Sequence, residues 1–149
     1  MNDTGIKSSY LLALFATFNY LQSFHVSAIF PIPFEVFVVS QLPANSSLLH
    51  IHCASKDNDL GDHDLHRDGQ FRWQFRMNFW GTTEFWCHFW WNSKDRRFTV
   101  MRWSFAKIHC GHDLLIRNTC FWMVREDGFY FSNRGISYEI TEKLRDWPQ

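Results

Sequence analysis

Histidine and cysteine are the residues of this 149-residue chain whose types and spacing most readily suggest chemistry. His50, His52 and Cys53 lie together, Cys87 precedes His88, and His109 and His112 flank Cys110. Zinc sites of the finger type pair their ligands as CxxC followed by HxxxH, and the chain contains no CxxC. On a strand, His50 and His52 would share a face opposite Ile51 and Cys53, as on a solvated strand surface. A hydrolase would need a nucleophile beside a base, yet there is no GxSxG elbow. Acid–base catalysis by two histidines, as in a secreted ribonuclease, needs groups that converge in a cleft. These histidines fall instead on loops and outer strand faces. The acids of Asp57-Asn58-Asp59 and Asp62-His63-Asp64 lack the distal Glu and flanking helix of an EF-hand calcium loop. Neither catalysis, nor a metal, nor any other cofactor is expected.

The compartment is read at the amino terminus. A polar stretch with Lys7 as its one basic residue precedes the apolar run Tyr10 to Phe18, and Val26-Ser27-Ala28 has the small-residue character of a signal-peptidase site. That order is a secretory signal, and its apolar core is short for a bilayer span. Residues 1–28 are therefore expected to be a signal peptide, and 29–149 the mature domain. No second stretch is long enough for a span, so the mature chain is expected to carry none. All four cysteines, Cys53, Cys87, Cys110 and Cys120, fall in the mature part, and an even count in a small secreted domain predicts two disulfides with three possible pairings. Asn45-Ser46-Ser47 is a glycosylation sequon, which makes Asn45 the candidate glycan site.

The elements that must position these residues are strands. Aromatics make up 19% of the chain, including 16 Phe and 8 Trp, which favours strands. Glu35 to Ser40 and Leu48 to Ala54 are strand-like, and Pro31 and Pro33 keep the stretch before them out of a central strand. Ser55 to Gly69 is acidic and reads as a long exposed loop. Gln70 to Met77 alternates without exception, with Phe71, Trp73, Phe75 and Met77 on one face and Gln70, Arg72, Gln74 and Arg76 on the other. Glu84 to Trp91 is aromatic on both faces and reads as central. Arg97 to Phe105 returns after a hairpin loop at Asn92–Asp95, and His109 to Asn118 is a loop bracketed by cysteines. Thr119 to Arg125 and Phe129 to Ser132 flank the Asp127-Gly128 turn. Ile136, Ile140, Leu144 and Trp147 are spaced as a helical stripe, although Ile136 to Ile140 would also serve as a strand. The fold expected is an all-β, small antiparallel sandwich of seven or eight strands. Cys53 and Cys120 both fall on strand faces shared with core residues, so the bridges expected are Cys53–Cys120 and Cys87–Cys110. Trp73, Phe75, Phe85, Trp86, Phe89 and Trp122 are expected in the core.

Charge removes further classes of partner. Lys and Arg number 15, as do Asp and Glu, so no global basic field exists for nucleic acid or anionic lipid. Alternation in Gln70 to Arg76 also puts aromatics and arginines on opposite faces, where stacking and phosphate contact would not cooperate.

Three blocks carry a family resemblance: HCASKDNDLGDHDL (His52 to Leu65), WQFRMNFWGTTEFWCHFWW (Trp73 to Trp91) and CFWMVREDGFYFS (Cys120 to Ser132). Together with the order of the four cysteines they resemble the plant self-incompatibility S-protein homologues over essentially the whole mature chain. Ser40, where the family often has Asn, and the density of Trp and Arg around Arg97 to Trp103 depart from the pattern. The resemblance implies a secreted, non-enzymatic β-sandwich with two disulfides, similar to pistil ligands that act on pollen through a surface receptor. The expected function is that of an extracellular protein ligand, a monomer, binding a cell-surface receptor through its loops. Lys56, Asp57, Asp59, Asp62 and His63 form the candidate contact, because exposed loops carry recognition on rigid sandwiches. The alternatives are a secreted ribonuclease-like hydrolase and a carbohydrate-binding module using Trp90, Trp91 or Trp103.

Overall fold

Alternating apolar residues recur along most of the chain with a period of two, and strands are what they form. The computed structural model describes residues 31–137 and 141–148, within a unit that begins at Pro31. The expected signal peptide, 1–28, lies outside the described residues, as does Ile140. In chain order the elements are β1 (Pro33–Ser40), β2 (Leu49–Ser55), β3 (Asp59–Leu65), β4 (Gln70–Arg76), β5 (Phe85–Trp91), β6 (Lys94–Met101), α1 (Trp103–His109), β7 (Asn118–Arg125), β8 (Gly128–Ser132) and β9 (Glu142–Arg145).

They build a sandwich. One sheet has the order β4-β1-β7-β8-β9 and the other β3-β2-β5-β6. The expected all-β sandwich is what the chain adopts, with one departure in strand direction: β1 runs parallel to β7, Phe34 opposite Asn118 through Ser40 opposite Val124. Parallel neighbours need a long crossover, and β2 to α1 supply it. β1 lies between β4 and β7 and begins at Pro33, two residues earlier than expected. A proline is tolerated there because the first residue of a strand can forgo its N–H. β5 is interior, as its two aromatic faces require.

The acidic stretch after Cys53 is not a loop. Asp59–Leu65 pairs with β2 as an edge strand, Leu49 opposite Leu65 and His52 opposite Asp62. An edge strand covered on one side only needs few apolar residues, and its outward acids guard the open edge against further pairing. This is why hydrophobic alternation failed to reveal it. Among the remaining elements, the return strand ends at Met101 and Trp103 starts a helix. Leu144 lies on strand β9, not on a helical stripe.

Both expected bridges are re-paired. The disulfides are Cys53–Cys87 and Cys110–Cys120. Cys53 stands directly opposite Cys87 in the β2–β5 register, their Cα atoms 4.1 Å apart. Cys120 does face the core, as expected, but from the other sheet; Cys110 at the end of α1 reaches it across a Cα separation of 5.3 Å.

Trp122 joins the layers. Its indole donates from Nε1 to the Val100 carbonyl at 3.0 Å, a bond from β7 to β6. Phe98, Phe105 and Phe131 surround it with ring centroids 5.2–5.5 Å away. Phe105 thereby docks α1, whose one fully buried residue is Ala106. Trp73, Phe85 and Phe89 are core residues, and Phe75 packs against them half-buried. Trp86 is the exception: it pairs with Ala54 and Thr99 on the outer face of its sheet, where the Arg97 guanidinium lies 3.6 Å from its ring centroid. A central strand with aromatics on both faces presents every second one outward.

Peptide mapping without reduction is expected to recover Cys53–Cys87 and Cys110–Cys120. Because the first bridge closes 34 residues and the second 10, chain entropy assigns them about 4 and about 3 kcal/mol. Removing the first is therefore expected to lower the denaturation midpoint more. Trp122→Phe keeps an aromatic ring but removes the indole N–H, strands the Val100 carbonyl and leaves a void, and is expected to cost at least about 1–3 kcal/mol in chemical denaturation.

Candidate functional site

The strand registers sort the loops into two ends. Pro33 opposite Arg76, Phe34 opposite Asn118, Ser55 opposite Phe85 and Phe85 opposite Met101 place several connections at one end. These are the β2–β3 turn, the β4–β5 loop, and α1 with its following loop. Phe75 against Phe85, 4.8 Å between centroids, brings the two sheets together there. The β1–β2 loop lies at the other end, fastened by Gln41 N–H to the Val124 carbonyl and Ser47 Oγ to Asn92 Oδ1. Asn45 is exposed in that loop.

The five residues expected to make the receptor contact divide. Lys56 and Asp57 are exposed in the tight β2–β3 turn, which closes through Ser55 N–H to the Asn58 carbonyl at 2.7 Å. Asp59 turns back to accept the Gly61 N–H at 2.9 Å, and Gly61 takes a φ of 80° that suits glycine. Asp62 is 62% exposed on the outer face. His63 is not part of that surface: it stands opposite Ile51, stacks on Phe71 at 3.7 Å, and its Nε2 lies 2.9 Å from the Leu60 carbonyl.

His50 and His52 face outward, as the alternation predicts, and they meet β3 in a ladder of imidazoles and carboxylates. His50 Nδ1 lies 2.7 Å from Asp64 Oδ1. His52 Nδ1 lies 3.0 Å from Asp62 Oδ1, and its Nε2 lies 3.2 Å from Asp59. On the next strand His88 contacts Asp95 and stacks on Trp90. Asp59, Asp62 and Asp64 are each at least 60% exposed, so these pairs orient side chains on an open surface and contribute little to stability. Among the described residues, no group of three His, Cys, Asp or Glu side chains is arranged to hold a metal ion.

Of the tryptophans expected to offer a sugar platform, Trp91 is buried, while Trp90 and Trp103 are half-buried. The exposed one is Trp80, at 80%, beside Phe79 at 70%. Both lie in the turn before Gly81, between β4 and β5, where no strand alternation assigns their rings a face. The same holds for Leu114, Leu115 and Ile116 in the loop after α1. A run of apolar residues within a loop was the signal.

That loop is held from within. The Asp113 carboxylate accepts the N–H of Leu115 at 2.7 Å and of Ile116 at 3.0 Å. Asn118 accepts the Asp113 N–H and donates to the carbonyls of Asp113 and Pro33. The Ile116 and Leu115 amides lower the Asp113 pKa. At the other end, the Tyr130 hydroxyl and then the Lys143 ammonium lower that of Asp127, and the same bond raises Tyr130. A cleft there of about 630 Å³ is lined by Gln41, Arg67, Arg125 and Glu126 among others. Its Arg125 guanidinium is committed to Gln41 Oε1 and Thr141 Oγ1.

Residues 35–147 match the sequence model of the family "Plant self-incompatibility protein S1". S-protein homolog 21 of Arabidopsis thaliana is 36% identical over 105 residues, covering 66% of this chain and 73% of that protein. S-protein homolog 74 of the same plant is 33% identical over 109 residues, covering 73% and 69%. A solved structure, described as that of SPH (self-incompatibility protein homologue) proteins, "a widespread family of small, highly stable, secreted proteins from plants", superposes with a TM-score of 0.55. It is 18% identical and covers 80% of this chain and 97% of that one, a likeness that shows the fold. The chain belongs to the plant self-incompatibility S1 family, the S-protein homologues.

The Asp113 pKa is depressed in the fold, so its stabilisation of the loop is present above the unfolded-chain aspartate value and lost as pH falls through the lowered one. Amide shifts of Leu115 and Ile116, followed by NMR, are expected to titrate together with a midpoint below that of an ordinary aspartate. Asp113→Ala is expected to abolish this titration.

Proposed function

We propose that this chain is a secreted protein ligand that binds a cell-surface receptor in plant cell–cell recognition, of the kind self-incompatibility requires, and that it catalyses no reaction. Family membership over residues 35–147 carries this reading, since the SPH relatives are described as small, highly stable and secreted. Residues 1–28 serve as the signal peptide, and the mature chain starts at Ile29. Asn45 accepts the glycan. Its exposed position at the end opposite the β2–β3 turn leaves that turn unobstructed. Lys56 and Asp57 at the turn, with Asp59 and Asp62 on β3, make the receptor contact. The backbone hydrogen bonds of the turn and the His52 pairs hold these groups in place, so little ordering entropy is lost on binding.

Two measurements test this. Protein recovered from the medium of expressing plant cells is expected to begin at Ile29; retention inside the cell would contradict secretion. Labelled mature chain is expected to bind plant cells saturably and in a protease-sensitive manner. The double variant Lys56→Glu/Asp57→Lys is expected to weaken that binding at least about tenfold, on the scale of a hot spot. Non-saturable binding, or robust turnover of RNA that disappears when His50 or His52 is replaced, would overturn the proposal.

A further inference from the structure

A sandwich is open along the sides where the edge strands of its two sheets face each other, and one such side here is left unsealed. Its edges are β6 and β9. Arg145 on β9 reaches toward the other sheet, its guanidinium carbon 6.0 Å from the centroid of Phe98 on β6. Both strands are bulged at this side. Val100 is skipped between Thr99 opposite Trp86 and Met101 opposite Phe85, and Leu144 is skipped between Lys143 opposite Tyr130 and Arg145 opposite Phe129. A bulge ends regular pairing and re-aims side chains, and bulges are common beside functional sites. On β6 the Val100 carbonyl accepts the Trp122 indole N–H. On β9 the bulge puts Arg145 on the face of the fully buried Phe129, so a cation points inward at the open edge.

The result is a pocket of about 350 Å³, a size that holds small organic molecules. Leu144, Phe105 and Trp122 supply its apolar wall. That wall is preformed: Phe105 stacks on Trp122 at 5.5 Å on one side and on His109 at 4.5 Å on the other. The polar lining is made of the Arg102 and Arg145 guanidiniums, the His109 imidazole and the Thr99 hydroxyl. Among the described residues no carboxylate lines the pocket, and neither guanidinium is in an ion pair; Arg145 donates to the Leu144 carbonyl at 3.3 Å. Two acids stand nearby. Glu84 accepts the Thr99 hydroxyl at 2.7 Å, and Glu142 lines the adjoining cleft with Arg134. These carboxylates weaken the long-range field but accept from neither guanidinium. Selectivity at this pocket therefore comes from directed N–H donors and not from net charge.

We infer that this pocket binds a small organic acid, with its apolar body against Leu144, Phe105 and Trp122 and its carboxylate accepting from Arg102 and Arg145. The guanidinium fork matches the two oxygens of a carboxylate, and an apolar wall with a few placed donors fixes the orientation of a small ligand. One donor comes from the residue that precedes α1 and the other from β9, so an occupant ties the two sheet edges together. None of these residues belongs to the receptor contact proposed at Lys56, Asp57, Asp59 and Asp62.

The test is an NMR titration of the mature chain with 3-phenylpropionate and with octanoate. Acetate, which has the charge without the body, and 3-phenylpropan-1-ol, which has the body without the charge, are the comparisons. Both acids are expected to shift the Trp122 indole N–H and the Phe105 and Leu144 amides saturably. Their affinity is expected to exceed that of acetate and of the alcohol by at least about tenfold, since apolar burial and charged hydrogen bonds are both required. Arg102→Ala and Arg145→Ala are each expected to weaken binding by about tenfold or more, the scale of one charge-assisted hydrogen bond. Arg97→Ala, which removes the guanidinium over Trp86 on the outer face, is expected to leave it unchanged. Arg102 and Arg145 are exposed, so thermal melts of their variants are expected to match the parent. Equal affinity for acid and alcohol would overturn the inference, as would shifts confined to the cleft at Gln41 and Arg125, or acid binding that either substitution spares. Absence of any saturable shift would equally overturn it, and would leave Arg145 as an inward charge that guards the β9 edge.

Discussion

The packing of Trp122 between the two sheets is the interaction on which the rest of this structure depends. One side chain fills the space between layers and hydrogen-bonds across it to Val100. A small domain has little interior to spare, and large rings dominate what it can bury. Phe98 and Phe129 extend the cluster, with centroids 4.9 Å apart, and Trp147 continues it at 4.5 Å from Phe129. Trp147 in turn donates to the Arg125 carbonyl at 2.9 Å, which fixes the carboxy-terminal segment beyond β9. The disulfides then act on a fold already specified by ring packing. One staples two adjacent strands, and the other ties α1 to β7.

From that core the functional geometry follows. Phe105 stacks on Trp122 and seats α1, and α1 sets where the loop 111–117 leaves the body. The loop is short, closed by a bridge and capped by Asp113, so its apolar tip stands out rather than folding back. On the neighbouring sheet, β3 carries its acids outward because Leu65 and the stacked His63 turn in. Each surface therefore presents a pattern that needs no partner to form. The proposed ligand role would draw on this, since any ordering left until binding is subtracted from affinity.

The sequence was informative where side chains report directly on burial. Alternation in Gln70–Arg76, the turn at Asp127-Gly128 and the outward placement of His50 and His52 are all present in the fold. It was uninformative where the backbone alone decides. β3 has the composition of a loop and is held by main-chain pairing to β2. The parallel alignment of β1 with β7 is a long-range choice that no local pattern encodes. The cysteine pairing failed for a related reason: Cys53 and Cys120 do both face the core, but facing the core does not say from which sheet. Trp86 was misplaced because an aromatic residue on a central strand has two faces available. The apolar tips were legible as residues and overlooked as a surface, since only the registers reveal that two distant segments share an end.

If Trp122 joins the sheets into one cooperative body, native-state hydrogen exchange under mild denaturant measures it most directly. The account predicts that the slowest amides of β1 and β7 and those of β2 and β5 exchange with the same free energy and the same denaturant dependence. Independent opening of the β3-β2-β5-β6 sheet, at a free energy well below that of β1 and β7, would contradict it.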